Sequence, residues 1–292
     1  MNSNFKILYI IGAGRSGTTL LDIVIGNSNN FFSAGELNRF TKRDGFPHDP
    51  RDNEVKDFWS KVNEQLYNNH LKNPRAYYDV FNQFEYHNNF FRIFASLRSK
   101  HYQTYSHYQQ QLFSAIYKTS RHDKELTIID SSKYPIRGFF LAKIFGDRVS
   151  LLYVKRQPSS TVESFQKKDV EQPSKGRLST HIYLLMVNLI ANRVLQLVKH
   201  SNKISIISYE QFVQSPLKTL EEIERDLQVD LSISKEIVRT DRAFTVGPLF
   251  DGNRLRLAPE IKFNKHSGGT DKQNHLLNRL FLPLHRWIWY KT

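Results

Sequence analysis

The sequence predicts an α/β fold, a parallel sheet covered by helices on both faces, and three observations carry that reading. An apolar, β-prone run at residues 7–11 feeds a glycine-rich turn and then apolar residues at helical spacing, Leu20, Leu21, Val24 and Ile25. Short apolar runs recur at residues 126–130, 149–154 and 203–208, and helical patterns separate them. The run at 149–154 is continuously apolar, as strands buried on both faces are. Strands alternating with helices in this way pair in parallel.

The first βα unit covers roughly residues 5–28. From 40 to 125 the chain becomes rich in Asn, His, Tyr and Phe and poor in strand signals. Within it Val55, Phe58, Trp59, Val62 and Leu66 recur at helical spacing, and further helices are expected from the low 80s to Leu97 and over 105–120. A helical insert of this length builds either a lid or acceptor pocket, or ordinary packing over the sheet. Alternation resumes with a helix at 135–145 that starts on a proline. Further helices are expected near 159–168, 178–199 and 216–227, followed by a loop-rich stretch and a last helix from Leu276 carrying Trp287 and Trp289. There is no repeat and no linker, so residues 1–292 read as a single domain with the insert at about 40–125.

Composition narrows the function classes. At 292 residues with 39% hydrophobic and 24% charged residues, the chain is globular and long enough for a large core. It has no cysteine, which excludes disulfides and thiolate chemistry. No carboxylate pair or His-Glu-x-x-His helix suggests a metal. The N-terminus lacks a basic segment and a long apolar stretch, and its apolar run ends in the glycine-rich turn. A cytoplasmic protein without stable membrane insertion is expected. A net charge of +14, with eight Lys/Arg against two Asp/Glu in the last forty residues, suits a polyanionic ligand. No nucleic-acid-binding signature accompanies that charge, so no nucleic-acid partner is expected. A homodimer remains open.

The turn between the first strand and helix is the strongest signal. Gly12, Gly14 and Gly17 allow backbone N–H groups to approach a ligand oxygen, and a helix N-terminus follows. Ser16, Thr18 and Thr19 add hydroxyls and Arg15 adds a permanent cation. Phosphate or sulfate suits such a loop. It satisfies Gly-x-Gly-x-x-Gly, with Glu36 nineteen residues after Gly17, as in an NAD(P)-dependent Rossmann oxidoreductase. It also approaches the P-loop kinase pattern, but Thr18 stands where lysine belongs.

The core Arg15-Ser16-Gly17-Thr18-Thr19 resembles the 5′-phosphosulfate loop of sulfotransferases that use 3′-phosphoadenosine-5′-phosphosulfate (PAPS). Three other segments extend the resemblance. Arg156 ends the 149–154 run and Ser164 follows eight residues later, similar to the pair that holds the donor's 3′-phosphate. Asp251-Gly252-Asn253-Arg254-Leu255-Arg256 resembles the late loop that adds guanidinium contacts to that phosphate, leaving open whether Arg254 or Arg256 makes them. Asp130-Ser131-Ser132-Lys133 resembles a family segment whose lysine reaches the sulfuryl group, and Tyr209 resembles a tyrosine beside the adenine.

The resemblance implies a P-loop NTPase-like, three-layer αβα sulfotransferase fold. It implies an enzyme moving a sulfuryl group from PAPS to a hydroxyl or amine of a small-molecule acceptor, a specialised metabolite rather than a polymer, with release of PAP and no metal. Gly14, Arg15, Ser16, Gly17, Thr18, Thr19, Arg156, Ser164, Tyr209, Asn253, Arg254 and Arg256 would then bind the donor, while Arg15, Glu36 and Lys133 would be catalytic. Glu36 lies twenty-one residues after Arg15, similar to the glutamate base of tyrosylprotein sulfotransferases. The competing reading of Glu36 is an ion pair with Arg39 or Arg43 on a loop.

Overall fold

The structure, a computed structural model, describes residues 4–68, 74–86, 97–120, 125–166, 176–263 and 276–290. Five parallel strands form its central sheet: β1 (Phe5–Gly12), β2 (Phe31–Gly35), β3 (Leu126–Lys133), β4 (Val149–Lys155) and β5 (Ile204–Ser208), in the order β2-β3-β1-β4-β5. β1 is central, and the strand order reverses direction there, because β3 lies on one side of it and β4 on the other. Crevices at the carboxyl ends of strands open at such a switch point.

The pleat sorts β1 between two cores. Ile7, Tyr9 and Ile11 join one cluster, packed with α2 (Asn53–Asn68), α3 (Tyr78–Glu85), α4 (Lys100–Ser120), α5 (Pro135–Phe145) and α7 (Arg177–Val198). Leu8 and Ile10 join the other, packed with α1 (Thr18–Gly26), α9 (Pro216–Leu227) and α10 (Ser232–Arg239). Helices therefore cover both faces in three layers. α6 (Pro158–Gln166) follows β4 and packs against α7, α8 (Tyr209–Gln214) follows β5, and α11 (Leu276–Tyr290) packs on α7. A two-residue strand pair, β6 (Phe244–Thr245) with β7 (Glu260–Ile261), flanks the second core.

The four expected strands are present, and so are the helices expected at 135–145 and 216–227. The expectation missed β2, α8, α10 and the β6–β7 pair. β2 is only five residues long and includes a serine and a glycine, so it gave no alternation to read. The helix expected from the low 80s to Leu97 is α3, which ends at Glu85; residues 87–96 lie outside the described part.

The described helices of the insert are bound into the fold. Val55, Trp59, Val62 and Leu66 of α2 are buried, and the Trp59 indole donates to the Pro248 carbonyl at 2.7 Å. Beneath α3 and α4 sits Arg137, fully buried. Its Nε donates to Asp130 Oδ2 at 2.9 Å, its Nη1 to Glu85 Oε1 and to the Tyr105 hydroxyl, and its Nη2 to Gln109 Oε1 at 3.2 Å. Burial pushes the Glu85 carboxyl up to about 7, a rise that Arg137 opposes. This cluster ties the insert (Glu85, Tyr105, Gln109) to β3.

Arg137→Met leaves the Asp130 and Glu85 carboxylates buried without a cation. We expect a loss of about 3–5 kcal/mol in denaturant unfolding. A loss below about 1 kcal/mol would show that the cluster contributes little to stability.

Candidate active site at the carboxyl edge of the sheet

β1 ends at Gly12 and the chain turns directly into α1. Ser16 N–H and Oγ both donate to the Ala13 carbonyl, at 3.2 and 2.7 Å, which folds residues 13–16 into a tight loop. Gly17 caps α1 with φ 89° and offers no side-chain cap, so the first N–H groups of the helix remain available for an anion. Only glycine fits there, because a Cβ would meet the Tyr209 ring at 2.3 Å in a backbone conformation that L side chains avoid. Ser16, Thr18 and Thr19 are buried around the turn. Gly14 N–H donates to the Tyr183 hydroxyl at 2.9 Å, which anchors the loop to α7 from 169 residues away.

Arg15 sits at φ 64°, outside the usual range for a side-chain-bearing residue. Its guanidinium donates to the Ser164 carbonyl on α6 and lies 4.8 Å over the Phe165 ring, and burial lowers its pKa. Arg156, leaving β4, donates through Nη1 to the Arg15 carbonyl at 2.5 Å and stacks 4.6 Å over the Tyr209 ring. Its Nε is buried without an acceptor among the described residues. Arg15, Gly17, Arg156, Ser164 and Tyr209, scattered over nearly two hundred positions, therefore form one cluster around the loop.

A second group gathers beside it. Glu36, at the end of β2, is buried, with Oε1 paired to Lys133 Nζ and Oε2 3.1 Å from Arg39 Nε. The expected rival partner Arg43 pairs instead with Asp251, 3.6 Å away. Lys133 holds φ 75°, the second strained backbone among the expected catalytic residues. Arg39 also approaches Asp251 at 3.5 Å; burial lowers its pKa, and Glu36 and Asp251 more than offset that, for a net rise. Tyr134 and Tyr86 meet edge-on at 4.9 Å nearby, and burial pushes the Tyr86 phenol up to about 12.

The late loop closes over this group. Gly35, at φ 77°, lies so close to it that a Cβ would stand 2.8 Å from the Asp251 carbonyl. Phe250 N–H donates to the Ala34 carbonyl at 2.9 Å, and Asn253 N–H to Thr19 Oγ1 at 3.4 Å. A Cβ placed on Gly252 would lie 3.4 Å from Thr19 Oγ1 and 3.7 Å from Glu36 Oε1. The two arginines of this loop differ in placement. Arg256 is buried and donates to the carbonyls of His48 and Asp49 at 2.9 and 3.3 Å, so it secures the loop to the insert. Arg254 is exposed, and the Asn253 side chain caps the short turn it starts, accepting from Leu255 N–H at 3.2 Å.

The sequence reading had no signal for Tyr183 or Asp22; it did offer Arg39 as an ion-pair partner of Glu36, and that pair is present. Asp22 lies fully buried one turn into α1 and accepts from Ser131 Oγ at 2.6 Å. A lone aspartate at a helical position looks like surface in sequence. Among the described residues no group of three or more His, Cys, Asp or Glu side chains is placed to hold a metal ion.

A parallel sheet with a glycine loop, a helix N-terminus and converging guanidinium groups at its switch point defines an α/β protein whose β1 end has the chemistry that suits an anion. A profile described as the sulfotransferase family matches residues 8–232, so the chain belongs to the sulfotransferase family and its activity is sulfuryl transfer. That match sets aside the dehydrogenase and kinase readings. The fold is similar to the sulfotransferase domain of the curacin biosynthetic pathway, at 14% identity over 96% of this chain and 97% of that one, TM-score 0.53. A sulfotransferase from Alicyclobacillus acidocaldarius is also similar, at 13% identity over 98% and 93% of the two chains, TM-score 0.47. So is mouse sulfotransferase SULT7A1 complexed with PAP, at 12% identity over 98% and 85%, TM-score 0.45. No curated protein sequence matches.

Burial raises the Asp22 carboxyl from 3.8 to about 7, with Asp130 adding to the rise and hydrogen bonds from Ser131 and Ser33 opposing it. The folded state thus favours the protonated form, and stability falls as pH rises from about 4 through about 7. Asp22→Asn removes that dependence. Its stability advantage over the wild type should grow across this window, by at most about 4 kcal/mol, and then level off. Thermal melts from pH 4 to 8 measure this, and a gap independent of pH would contradict the raised pKa.

Proposed function

We propose that the protein transfers the sulfuryl group of PAPS to a hydroxyl or amine of a small-molecule acceptor and releases PAP. The observation that carries this reading is the contact of Arg156 with the Arg15 carbonyl, which brings two separate anion-binding elements together. The buried, acceptor-less Nε of Arg156 suits an incoming phosphate oxygen. In this reading the loop N–H groups, Ser16, Thr18 and Thr19 cradle the 5′-phosphosulfate. Arg156 and Ser164 hold the 3′-phosphate with Asn253 and Arg254 alongside, and Tyr209 stacks near the adenine. Arg256 is left to secure the loop.

The reaction needs one base and several fixed cations. The acceptor oxygen or nitrogen forms a bond to sulfur, the bond from sulfur to the 5′-phosphate oxygen breaks, and the acceptor's proton passes to Glu36. Charge gathers on the leaving phosphate, where Arg15 and the loop N–H groups stabilise it without reorganising. Without donor, both carboxylate oxygens of Glu36 are ion-paired. When Lys133 moves to the sulfuryl oxygens, Oε1 becomes free to accept the proton while Arg39 keeps the carboxylate in place. Arginine in the loop acts electrostatically, because it does not give up a proton near neutral pH.

Two variants test these assignments. Glu36→Gln should retain PAP affinity within about threefold and lose kcat by about 10²-fold or more. Unchanged turnover in an assay of radiolabelled sulfate transfer removes Glu36 from the chemistry. Arg156→Ala should weaken PAP binding by about tenfold or more and leave adenosine 5′-phosphosulfate, which lacks the 3′-phosphate, little affected. Equal losses in calorimetry would place Arg156 elsewhere. A thermal-shift panel of PAP, NAD, ATP and an oligonucleotide tests the donor itself, with PAP alone expected to raise the melting temperature.

A further inference from the structure

The inward face of α11 mixes apolar and polar groups: Ile288 is buried and Phe281 stacks on the His181 ring, but Asn278 and His285 are buried too, the His181 ring bonds His285 Nε2 at 3.0 Å and Asn278 Oδ1 at 3.1 Å, and Asn192 donates to the Ile288 carbonyl at 2.8 Å. Its outward face is apolar. Leu276, Leu280, Leu284 and Trp287, spaced four, four and three residues apart, are 69%, 61%, 50% and 54% exposed. α7, on which α11 packs, adds a second stripe of Leu178, Ile182 and Leu189, each at least half exposed. Single exposed leucines need no explanation, but a row of them on a helix that buries its amides and imidazoles does.

The charges around the stripe select its occupant. α7 and α11 contain no Asp or Glu, while Arg177, Arg193, Arg279 and Arg286 lie along them. In a symmetric dimer the same patch would meet itself, arginine against arginine, with no acid on either helix to pair with them. Arg279 and Arg286 also line a cavity of about 430 Å³ with Trp289 and the first residues of α6, Pro158 and Ser159, so positive charge sits beside the apolar row. Leucines and a tryptophan flanked by arginines are the composition of a helix lying in a lipid headgroup layer. The helix is also held firmly at its C-terminal end, where Lys155 Nζ donates to the Trp289 carbonyl at 2.9 Å. Although α7 is long and apolar enough to cross a membrane, half of its most apolar window is buried in the core, so α7 stays in the fold.

We propose that the α11 face docks the protein peripherally on an anionic lipid surface, with Leu276, Leu280, Leu284 and Trp287 at the acyl boundary and Arg279 and Arg286 at the headgroup phosphates. The argument for this surface does not use the donor or acceptor assignments, although the cavity beside it adjoins the end of β4 that bears Arg156.

Co-sedimentation of the full chain with vesicles tests this. Vesicles of phosphatidylcholine with added phosphatidylglycerol should bind the protein, and pure phosphatidylcholine should bind it about twentyfold more weakly. Binding should weaken with salt. Arg279→Gln with Arg286→Gln should lower it by about twentyfold, at roughly fivefold per arginine. Leu280→Ser with Leu284→Ser should also abolish it, and because both side chains are exposed the melting temperature should hold. Tryptophan emission should shift to the blue on docking and lose most of that shift in Trp287→Phe, which keeps the buried Trp59 and the half-buried Trp289. Absence of binding to either vesicle, or equal binding to both, overturns the proposal. So does a dimer in sedimentation velocity that the leucine pair variant dissolves, since a second copy would then cover the face.

Discussion

The position of β1 between β3 and β4 is the constraint on which the rest of the site depends. Parallel strands all point the same way, so the loop after β1, the end of β3 and the end of β4 emerge on one edge at neighbouring places. Arg15, Lys133 and Arg156 are each within a few residues of such a strand end. Their positive charges would repel one another if left alone. The arrangement holds because each guanidinium or ammonium has an oxygen to bond: the Ser164 carbonyl, the Glu36 carboxylate and the Arg15 carbonyl. An anionic ligand entering this edge meets cations already placed, and the cost of assembling them is met in folding.

Behind the edge runs a buried polar line that fixes the position of Glu36. Glu85 and Asp130 flank Arg137, Asp130 accepts from Ser132, and Ser132 Oγ accepts from the N–H of Asn38, two residues past Glu36. The helical insert, the third strand and the turn that bears Glu36 are therefore linked by one hydrogen-bonded chain. The insert thus serves as a wall of the fold. At its described end Tyr86 meets the Tyr134 ring, one residue past Lys133, so the same segment borders the group around Glu36. Packing and acceptor contact, the two uses expected for the insert, are both compatible with this placement.

Two of the seven non-glycine residues with positive φ among the described residues lie where chemistry is expected. Arg15 and Lys133 both hold positive φ without being glycine. Such conformations cost on the order of 1–3 kcal/mol each and persist where the surroundings over-determine them. Here the surroundings are the turn closed by Ser16 on Ala13 and the ion pair to Glu36.

Much of this was legible in one dimension. The apolar runs located four of the five sheet strands, because a strand buried on both faces must be apolar throughout. The glycine loop and the Arg156–Ser164 spacing were readable because they are local, set by one turn or one helix. β2 escaped because five residues with a serine and a glycine carry no period. Tyr183 and Asp22 escaped because their partners, Gly14 and Ser131, lie more than a hundred residues away. The late loop shows the boundary well. Its sequence offered two arginines two residues apart, and only the tertiary packing decided that Arg256 turns inward to the carbonyls of His48 and Asp49 while Arg254 stays at the surface. The sequence by itself determined which segments are strands and helices and which turn is built for an anion, since periodicity and glycine are properties of neighbours in the chain. The tertiary structure alone decided which charged side chains are buried and paired and which stay exposed, because that depends on which distant carbonyls and carboxylates the fold brings within hydrogen-bonding reach.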